Sequence, residues 1–462
     1  MTPLSTKVLV VGGGPGGYVA AIRASQLGLD VTLVEASRLG GTCLVRGCIP
    51  SKALIHVAGQ FEAMTHAIGG DAMGLGLSAP PSLDFAKTLR WKDAIVDKLS
   101  GGVAALLKRA KVHVVQGWAT FSDARTCTVA TPDGPLKISA EYVVLANGSA
   151  PVALPFMPFG GAVLSSTEAL SLSALPKRLA VVGAGYIGLE LGSAFRKFGS
   201  EVVVIEARAS ILPNFDAELS APIARWLSRA GVEVLTGAVV TARTADGVAI
   251  RHNDSDRVIA ADAILVTVGR RPLTDGWGLE NMAVDRDGAF VKVDDQCRTS
   301  MRNVFAIGDL VGEPMLAHKA SAQGEMVAAI IAGEKRRFDP AAIPAVCFTE
   351  PEIVSVGLDP AQTKAVGVDA VSAQFPFAAS GRALSMNAGE GFVRVVARRD
   401  NHRILGVQAV GAHVSELSGE FTLAIEMGAV IEDIAGVIHA HPTLSESFGE
   451  AALRVVGTAI HV

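Results

Sequence analysis

An α/β fold of two Rossmann-like dinucleotide-binding domains and a C-terminal α+β domain is predicted by two observations. A strand–loop–helix–strand pattern occurs twice, and the pattern changes after Ala345. The first copy is Val8 to Ala36, VLVVGGGPGGYVAAIRASQLGLDVTLVEA. The second is Leu179 to Ala207, LAVVGAGYIGLELGSAFRKFGSEVVVIEA, at a constant offset of 171 residues. Gly12, Gly14, Gly17, Gly28 and Glu35 fall on Gly183, Gly185, Gly188, Gly199 and Glu206.

Each copy places G-x-G-x-x-G between an apolar strand and a helical pattern, and ends a second strand on glutamate. That order is the dinucleotide-binding βαβ unit. The first glycine allows the tight turn, the second lets a pyrophosphate approach the backbone, and the third lets helix and strand pack closely. The helix N-terminus offers unpaired N–H groups and a favourable dipole to the phosphates. A carboxylate at the end of the second strand suits a ribose 2′-hydroxyl and repels a 2′-phosphate.

The bulk numbers agree. At 462 residues, half of them hydrophobic and 19% charged, the chain has material for two to four cores. Its net charge of −4 leaves no basic stripe for nucleic acid. No stretch approaches the roughly 20 apolar residues of a spanning helix. The opening MTPLSTK runs into VLVV without a signal-peptide pattern, so the expected compartment is cytoplasmic. Five cysteines (Cys43, Cys48, Cys127, Cys297, Cys347) form no secreted disulfide framework in a chain this long.

After the first copy, Leu54 to Ala110 reads as helices broken near Gly69 to Pro81, with an apolar face at helical spacing from Leu83 to Arg109. Val112 to Ile138 reads as a small antiparallel meander with a Pro132-Asp133-Gly134 turn. Tyr142 to Ser149, YVVLANGS, reads as a buried strand closing the first domain, which is assigned residues 1–150. The second domain, 151–272, closes on Ala263 to Pro272, AILVTVGRRP, a strand running into a turn at Gly269. A central segment, 273–344, carries Asn303 to Asp309, NVFAIGD, a strand ending beside an acid. Residues 345–462 read as strands around Val354, Val371, Phe392 to Ala397 and Ile404 to Val410, then helices from Ser415 to Met427 and from Glu432 to Val437.

Two clusters carry reactive side chains. Gly40 to Lys52, GGTCLVRGCIPSK, holds Cys43 and Cys48. On a regular helix that spacing gives about 7.5 Å of rise and about 140° of rotation, too far for a disulfide. Bridging needs a break, and Gly47 and Pro50 are residue types that permit one. On the residues alone, a redox pair and two unrelated buried thiols both remain open. His439 to Glu450, HAHPTLSESFGE, sets Glu446 within reach of His441 across Pro442. A carboxylate orienting one ring nitrogen leaves the other free for acid/base work; a polar surface histidine is the simpler alternative.

Taken together these motifs resemble the flavoprotein disulfide reductases over essentially the whole chain. The matching segments are GGGPGGYVAAIRA, GGTCLVRGCIPSK, GAGYIGLELG, AIGD and HAHPTLSE. The resemblance implies FAD on the first loop, with Gly12, Gly14 and Gly17 at its phosphates. It puts Glu35 on its adenosine ribose, Asp309 on its ribityl chain and the backbone around Ala317 on its pyrimidine end. It implies NAD on Gly183, Gly185 and Gly188, with Glu206 and Gly269 beside it and Tyr186 gating its site. Lys52 would pair with Glu190 near the flavin. Cys43 and Cys48 would form a redox disulfide, Cys43 toward substrate and Cys48 toward flavin. The C-terminal domain would serve dimerisation, so that His441 and Glu446 of one subunit act on the disulfide of the other. The likeness is to the branch that oxidises the dihydrolipoyl arm of 2-oxo acid dehydrogenase complexes, with the lipoyl-bearing subunit as partner. A glutathione-type, NADPH-dependent reductase and a flavin-binding protein without turnover are the alternatives; Glu206 argues for NAD, although Arg208 is two residues on. No metal ligand set is expected.

Two departures stand out. Val45 and Arg46 replace the family's asparagine and small apolar residue, and Asn147 stands where Ala-Thr-Gly is usual. A cation at Arg46 suggests a lowered cysteine pKa; a solvated side chain is the other reading.

Overall fold

The first βαβ copy builds the centre of a seven-stranded sheet. The structure, a computed structural model, describes residues 2–71 and 73–461. Strand Leu4–Val11 lies between Val31–Glu35 and Gly134–Leu145, parallel to both. All five residues of Val31–Glu35 are buried, which is the continuous apolar reading of a strand covered on both faces. The helix Pro15–Gln26 crosses over it, and Val304–Ala306 returns from the central segment to pair parallel with Gly134–Leu145. A later stretch of chain therefore completes the first sheet.

The second copy builds a five-stranded sheet around Arg178–Val182, Glu201–Glu206 and Ala263–Val266, with helix Tyr186–Lys197 as its crossover. The C-terminal α+β domain has a five-stranded antiparallel sheet in which Glu352–Gly357, Ile404–Gly411, Phe392–Arg398 and Ala370–Pro376 lie in that order. Helices Ser418–Glu426 and Glu446–Val455 cover it.

Three features differ from the sequence reading. His113–Gln116 pairs parallel with Val31–Glu35, so the meander begins only at Trp118. Gly117, at φ +155° and with a Cβ position 2.4 Å from the Ala130 carbonyl oxygen, makes the corner; short alternating strands look alike whichever neighbour they take. Gly134–Leu145 is one strand, antiparallel to Thr126–Thr131 over its first half and parallel to Leu4–Val11 from Ile138 onward. Pro50 breaks nothing: it sits in the first turn of helix Cys48–His66, where a missing N–H costs no helical bond.

One hydrophobic core joins the domains. Leu54 and Ala58 pack with Leu189, Phe195, Cys347 and Ile353, so residues from all three regions enclose the site. Two buried cations fasten the seams. Arg394 bonds Asp216 at 3.1 Å and Glu218 at 2.9 Å, and Lys197 meets Glu62 and Glu350 at 2.8 Å each.

Candidate active site

The cysteines stand on either side of a helix break. Helix Gly41–Arg46 ends at Gly47, whose φ −148° and ψ −109° leave the helical region, and helix Cys48–His66 starts at once. A Cβ on Gly47 would stand 2.9 Å from the Thr42 carbonyl oxygen. The break brings the two side chains into hydrogen-bond contact as free thiols. The bond donated by Cys43 brings Cys48 down to about 7, with burial opposing and the Lys52 ammonium helping. The same bond and burial push Cys43 up. The Cys43 bond and the Lys52 ammonium thus both favour a thiolate at Cys48. Lys52, not Arg46, is the cation that acts on both thiols; the Arg46 Nε is buried without a protein partner.

A cavity of about 580 Å³ runs along this pair. Its wall includes Gly12, Gly14, Glu35, Cys43, Arg46, Cys48, Lys52, Asn147, Tyr186, Glu190, Asp309 and Ala317. Gly17 stands behind it: its Cβ position is 1.8 Å from the Gly12 carbonyl oxygen, so only glycine lets helix and loop pack. Lys52 Nζ donates to Glu190 Oε2 at 2.7 Å, joining the first and second domains beneath the cysteines. Gly183, Gly185, Gly188, Glu206 and Gly269 are not part of this wall, and Tyr186, 38% exposed, stands between the two regions.

The two glutamates are held identically. Glu35 accepts the Gly13 N–H at 2.6 Å and the Ser37 N–H at 2.7 Å. Glu206 accepts the Ala184 N–H at 2.7 Å and the Arg208 N–H at 2.8 Å. Each acid is fixed against its own glycine loop, and the sequence repeat extends to these bonds. Arg208 contributes its backbone here; its side chain is exposed.

Asp309 accepts from the Ser149 hydroxyl, and Ser149 Oγ in turn accepts from Arg270 Nε at 2.8 Å. Ser149 and Arg270 also pair their strands, Ser149–Pro151 with Arg270–Pro272. Sequence reasoning names neither as a site residue, although both lie within segments that it does name, YVVLANGS and VGRRP. Asn147 lines the cavity with its Oδ1 buried and unpartnered.

His441 and Glu446 lie apart from the cavity, on the C-terminal domain. His441 Nδ1 meets Glu446 Oε1 at 2.9 Å, and Glu446 Oε2 accepts the Thr443 N–H at 2.7 Å. Burial raises Glu446, but the Thr443 N–H and the imidazole outweigh it and hold the carboxyl below its usual range. The imidazole is oriented at one nitrogen and its side chain is 79% exposed.

Comparison with known proteins bears on the whole of this arrangement. Residues 6–324 match the pyridine nucleotide-disulphide oxidoreductase family, and residues 343–452 match the dimerisation domain of that family. The chain belongs to the pyridine nucleotide-disulphide oxidoreductases. It is 58% identical to a dihydrolipoyl dehydrogenase of Pseudomonas aeruginosa, over 99% of each chain. It is 47% identical to the dihydrolipoyl dehydrogenase of Geobacillus stearothermophilus, over 99% of this chain and 98% of that one. Among solved structures, LpdA of Mycobacterium tuberculosis superposes with a TM-score of 0.89 at 28% identity, covering 97% of this chain and 99% of that one. The HOCl-induced flavoprotein disulfide reductase RclA of Escherichia coli gives 0.85 at 27% identity, covering 96% and 99%.

Family members use FAD and NAD(H). The residues here fit FAD: a glycine loop at a helix N-terminus, a fixed acid beside it, and a cavity leading from that acid to the cysteines. The unpartnered Asn147 Oδ1 and Arg46 Nε on the same wall add polar groups for it to satisfy. No helix among the described residues is long and apolar enough to cross a membrane.

Proposed function

We propose that this protein is an NAD-dependent dihydrolipoyl dehydrogenase, oxidising the dihydrolipoyl group of a 2-oxo acid dehydrogenase complex through a Cys43–Cys48 disulfide. The observation that carries this is the hydrogen-bonded thiol pair beside Lys52, on the wall of the same cavity as the first nucleotide loop. The full-length likeness to dihydrolipoyl dehydrogenases supports the substrate.

The sulfur steps follow from the two thiols' unequal acidities. Starting from the disulfide, the free ring nitrogen of the partner subunit's His441 takes a proton from the substrate dithiol. The substrate thiolate attacks Cys43 Sγ, and Cys48 leaves as thiolate, the better leaving group because its charge is stabilised. The second substrate thiol then displaces Cys43, giving a cyclic disulfide product and two reduced protein sulfurs. FAD, which Gly12, Gly14, Glu35 and Asp309 would hold along the cavity wall beside Cys48, would supply the two-electron chemistry that links the reduced sulfurs to NAD⁺. Lys52 and Glu190 hold charge beside Cys48, and Glu446 holds the imidazole in its working orientation.

Homodimer formation is supported by the match to the family's dimerisation domain and by the place of His441, outside its own chain's cavity. The C-terminal domain also exposes Leu423, Met427 and Ile438, and Ile438 is 98% exposed three residues from His441. A cytoplasmic location suits a cysteine pair whose disulfide is catalytic and transient.

An anaerobic assay crossing dihydrolipoamide and glutathione against NAD and NADP tests the reading. Turnover of dihydrolipoamide with NAD⁺ is expected, and activity with glutathione and NADPH alone would overturn it. His441→Ala should lower dithiol oxidation by about 10²- to 10⁴-fold while NADH-to-dye transfer persists. Equal loss in both assays would make the histidine structural.

A further inference from the structure

The ion pair beneath Cys48 has a third member, supplied by the C-terminal domain. Glu190 is 4% exposed. One of its oxygens holds Lys52 at 2.7 Å; the other accepts the backbone N–H of Phe348 at 2.9 Å. The Lys52 ammonium also lies over the Phe348 ring, 4.5 Å from its centroid. Phe348 directly follows strand Ala345–Cys347, the first strand of the C-terminal sheet. One residue therefore brackets both charges, its N–H against the carboxylate and its ring face against the ammonium.

We propose that Phe348 is a positioning residue for the redox pair: it fixes Glu190 through its N–H and holds Lys52 through its ring, so that the entry strand of the C-terminal domain controls the charge at Cys48. The physical basis is the ring quadrupole, whose negative face attracts a cation within about 6 Å of the centroid, more strongly when the cation is partly desolvated. Lys52 has a flexible four-carbon stem and about a third of its side chain exposed. With the ring removed, Glu190 is its remaining close anchor, and the ammonium gains freedom to leave the thiolate.

The groups facing Cys48 are Cys43, Lys52, Glu190 and Tyr186. Those facing Lys52 are Glu190, Phe348 and the buried thiol of Cys347. Lys52 is the cation among them, and Glu190 opposes it at Cys48. Withdrawal of the ammonium leaves the carboxylate behind, and both changes disfavour the thiolate. The sign is therefore fixed: loss of the ring raises the pH at which Cys48 ionises.

The inference rests on the reading that flavin lies against Cys48, and the test separates the two. Holoenzyme reduced by two electrons under anaerobic conditions is titrated across the neutral range, following the long-wavelength thiolate–flavin absorbance. Wild type should show the band with a midpoint below the ordinary thiol value, because the Cys43 bond and the Lys52 ammonium favour the thiolate. Phe348→Leu should move it up by about half a unit to one unit, whereas Phe348→Tyr, which keeps the ring, should leave it in place. Pentafluorophenylalanine at position 348 keeps the shape and reverses the ring's charge pattern. It should shift the midpoint as leucine does, and it carries the test if the leucine variant does not fold. Unchanged midpoints in the ring-altered proteins, with the band present, overturn the role of Phe348 alone. Absence of the band from wild type overturns the placement of flavin at Cys48 and the inference with it.

Discussion

The two glycine loops share a sequence pattern and the bonding of their glutamates, yet they sit in opposite surroundings. Helix Ala317–Ile331 closes over the first: Gly324 packs so tightly that a Cβ there would stand 2.4 Å from the Gly16 carbonyl oxygen. Helix Gly41–Arg46 closes it from another side, with Gly41 against Gly14. At the second loop nothing lies within 4 Å of a Cβ built on Gly185. On the assignment proposed above, the enclosed loop takes FAD and the open loop takes the NAD that enters and leaves with each turnover. What differs is what later segments lay over the loop; residence is set by enclosure, because release from the first site requires packed helices to separate.

The largest expected effect comes from opening the enclosed loop. Gly324→Val inserts a branched side chain where no Cβ fits, forcing apart the two helices that cover the first phosphate site. Overpacking of this kind costs about 1–3 kcal/mol or more. The purified variant should melt several degrees lower and carry little flavin by its visible absorbance. Full flavin content would mean that enclosure by this helix pair is not what retains it.

A cleaner contrast uses matched substitutions that fold without strain. Gly14→Ala has only Gly41 Cα nearby, at 3.8 Å, and Gly185→Ala meets nothing; both backbones have φ near −70°. Each new methyl stands where a pyrophosphate must approach the loop. Gly14→Ala should lower flavin affinity by about tenfold or more and leave KM for NAD unchanged in the flavin-replete fraction. Gly185→Ala should retain flavin and raise KM for NAD by about tenfold. Flavin loss from Gly185→Ala, or a matching rise in KM from Gly14→Ala, would show that the sites are not separate.

The same contrast explains what was legible in the sequence. Turn glycines, the strand-end acids and the break at Gly47 are local requirements of the backbone, so residue type and spacing reveal them. The pairing of Lys52 with Glu190 came through resemblance, and the geometry has it at 2.7 Å. Enclosure, by contrast, depends on helix Ala317–Ile331 meeting helix Pro15–Gln26 across most of the chain, and no periodicity encodes that meeting. Phe348 and the Arg270–Ser149–Asp309 chain escaped for the same reason: each bond joins residues from different domains or segments whose local patterns are ordinary. For Arg46 the sequence leaves two readings open, a cation beside the thiols and a solvated side chain; in the fold the cation acting on the thiols is Lys52, one helical turn beyond Cys48, and the Arg46 Nε is buried.

The smallest effect tests whether the open loop selects its nucleotide by charge. Glu206 spends both oxygens on backbone N–H groups, from Ala184 and Arg208. Glu206→Gln retains one acceptor oxygen and removes the charge, so one N–H loses its partner at a cost of about 1 kcal/mol, the scale of a single hydrogen bond. The 2′-phosphate of NADP then meets a neutral amide, with the exposed side chain of Arg208 two residues away. The ratio of kcat/KM for NAD over NADP should fall by about tenfold, chiefly through a lower KM for NADP, while flavin content stays at the wild-type level because Glu35 is untouched. If the ratio holds, selection lies in the shape of the loop and not in the carboxylate. If it falls while flavin content also drops, the two loops are coupled through the fold, and the enclosed site depends on the open one.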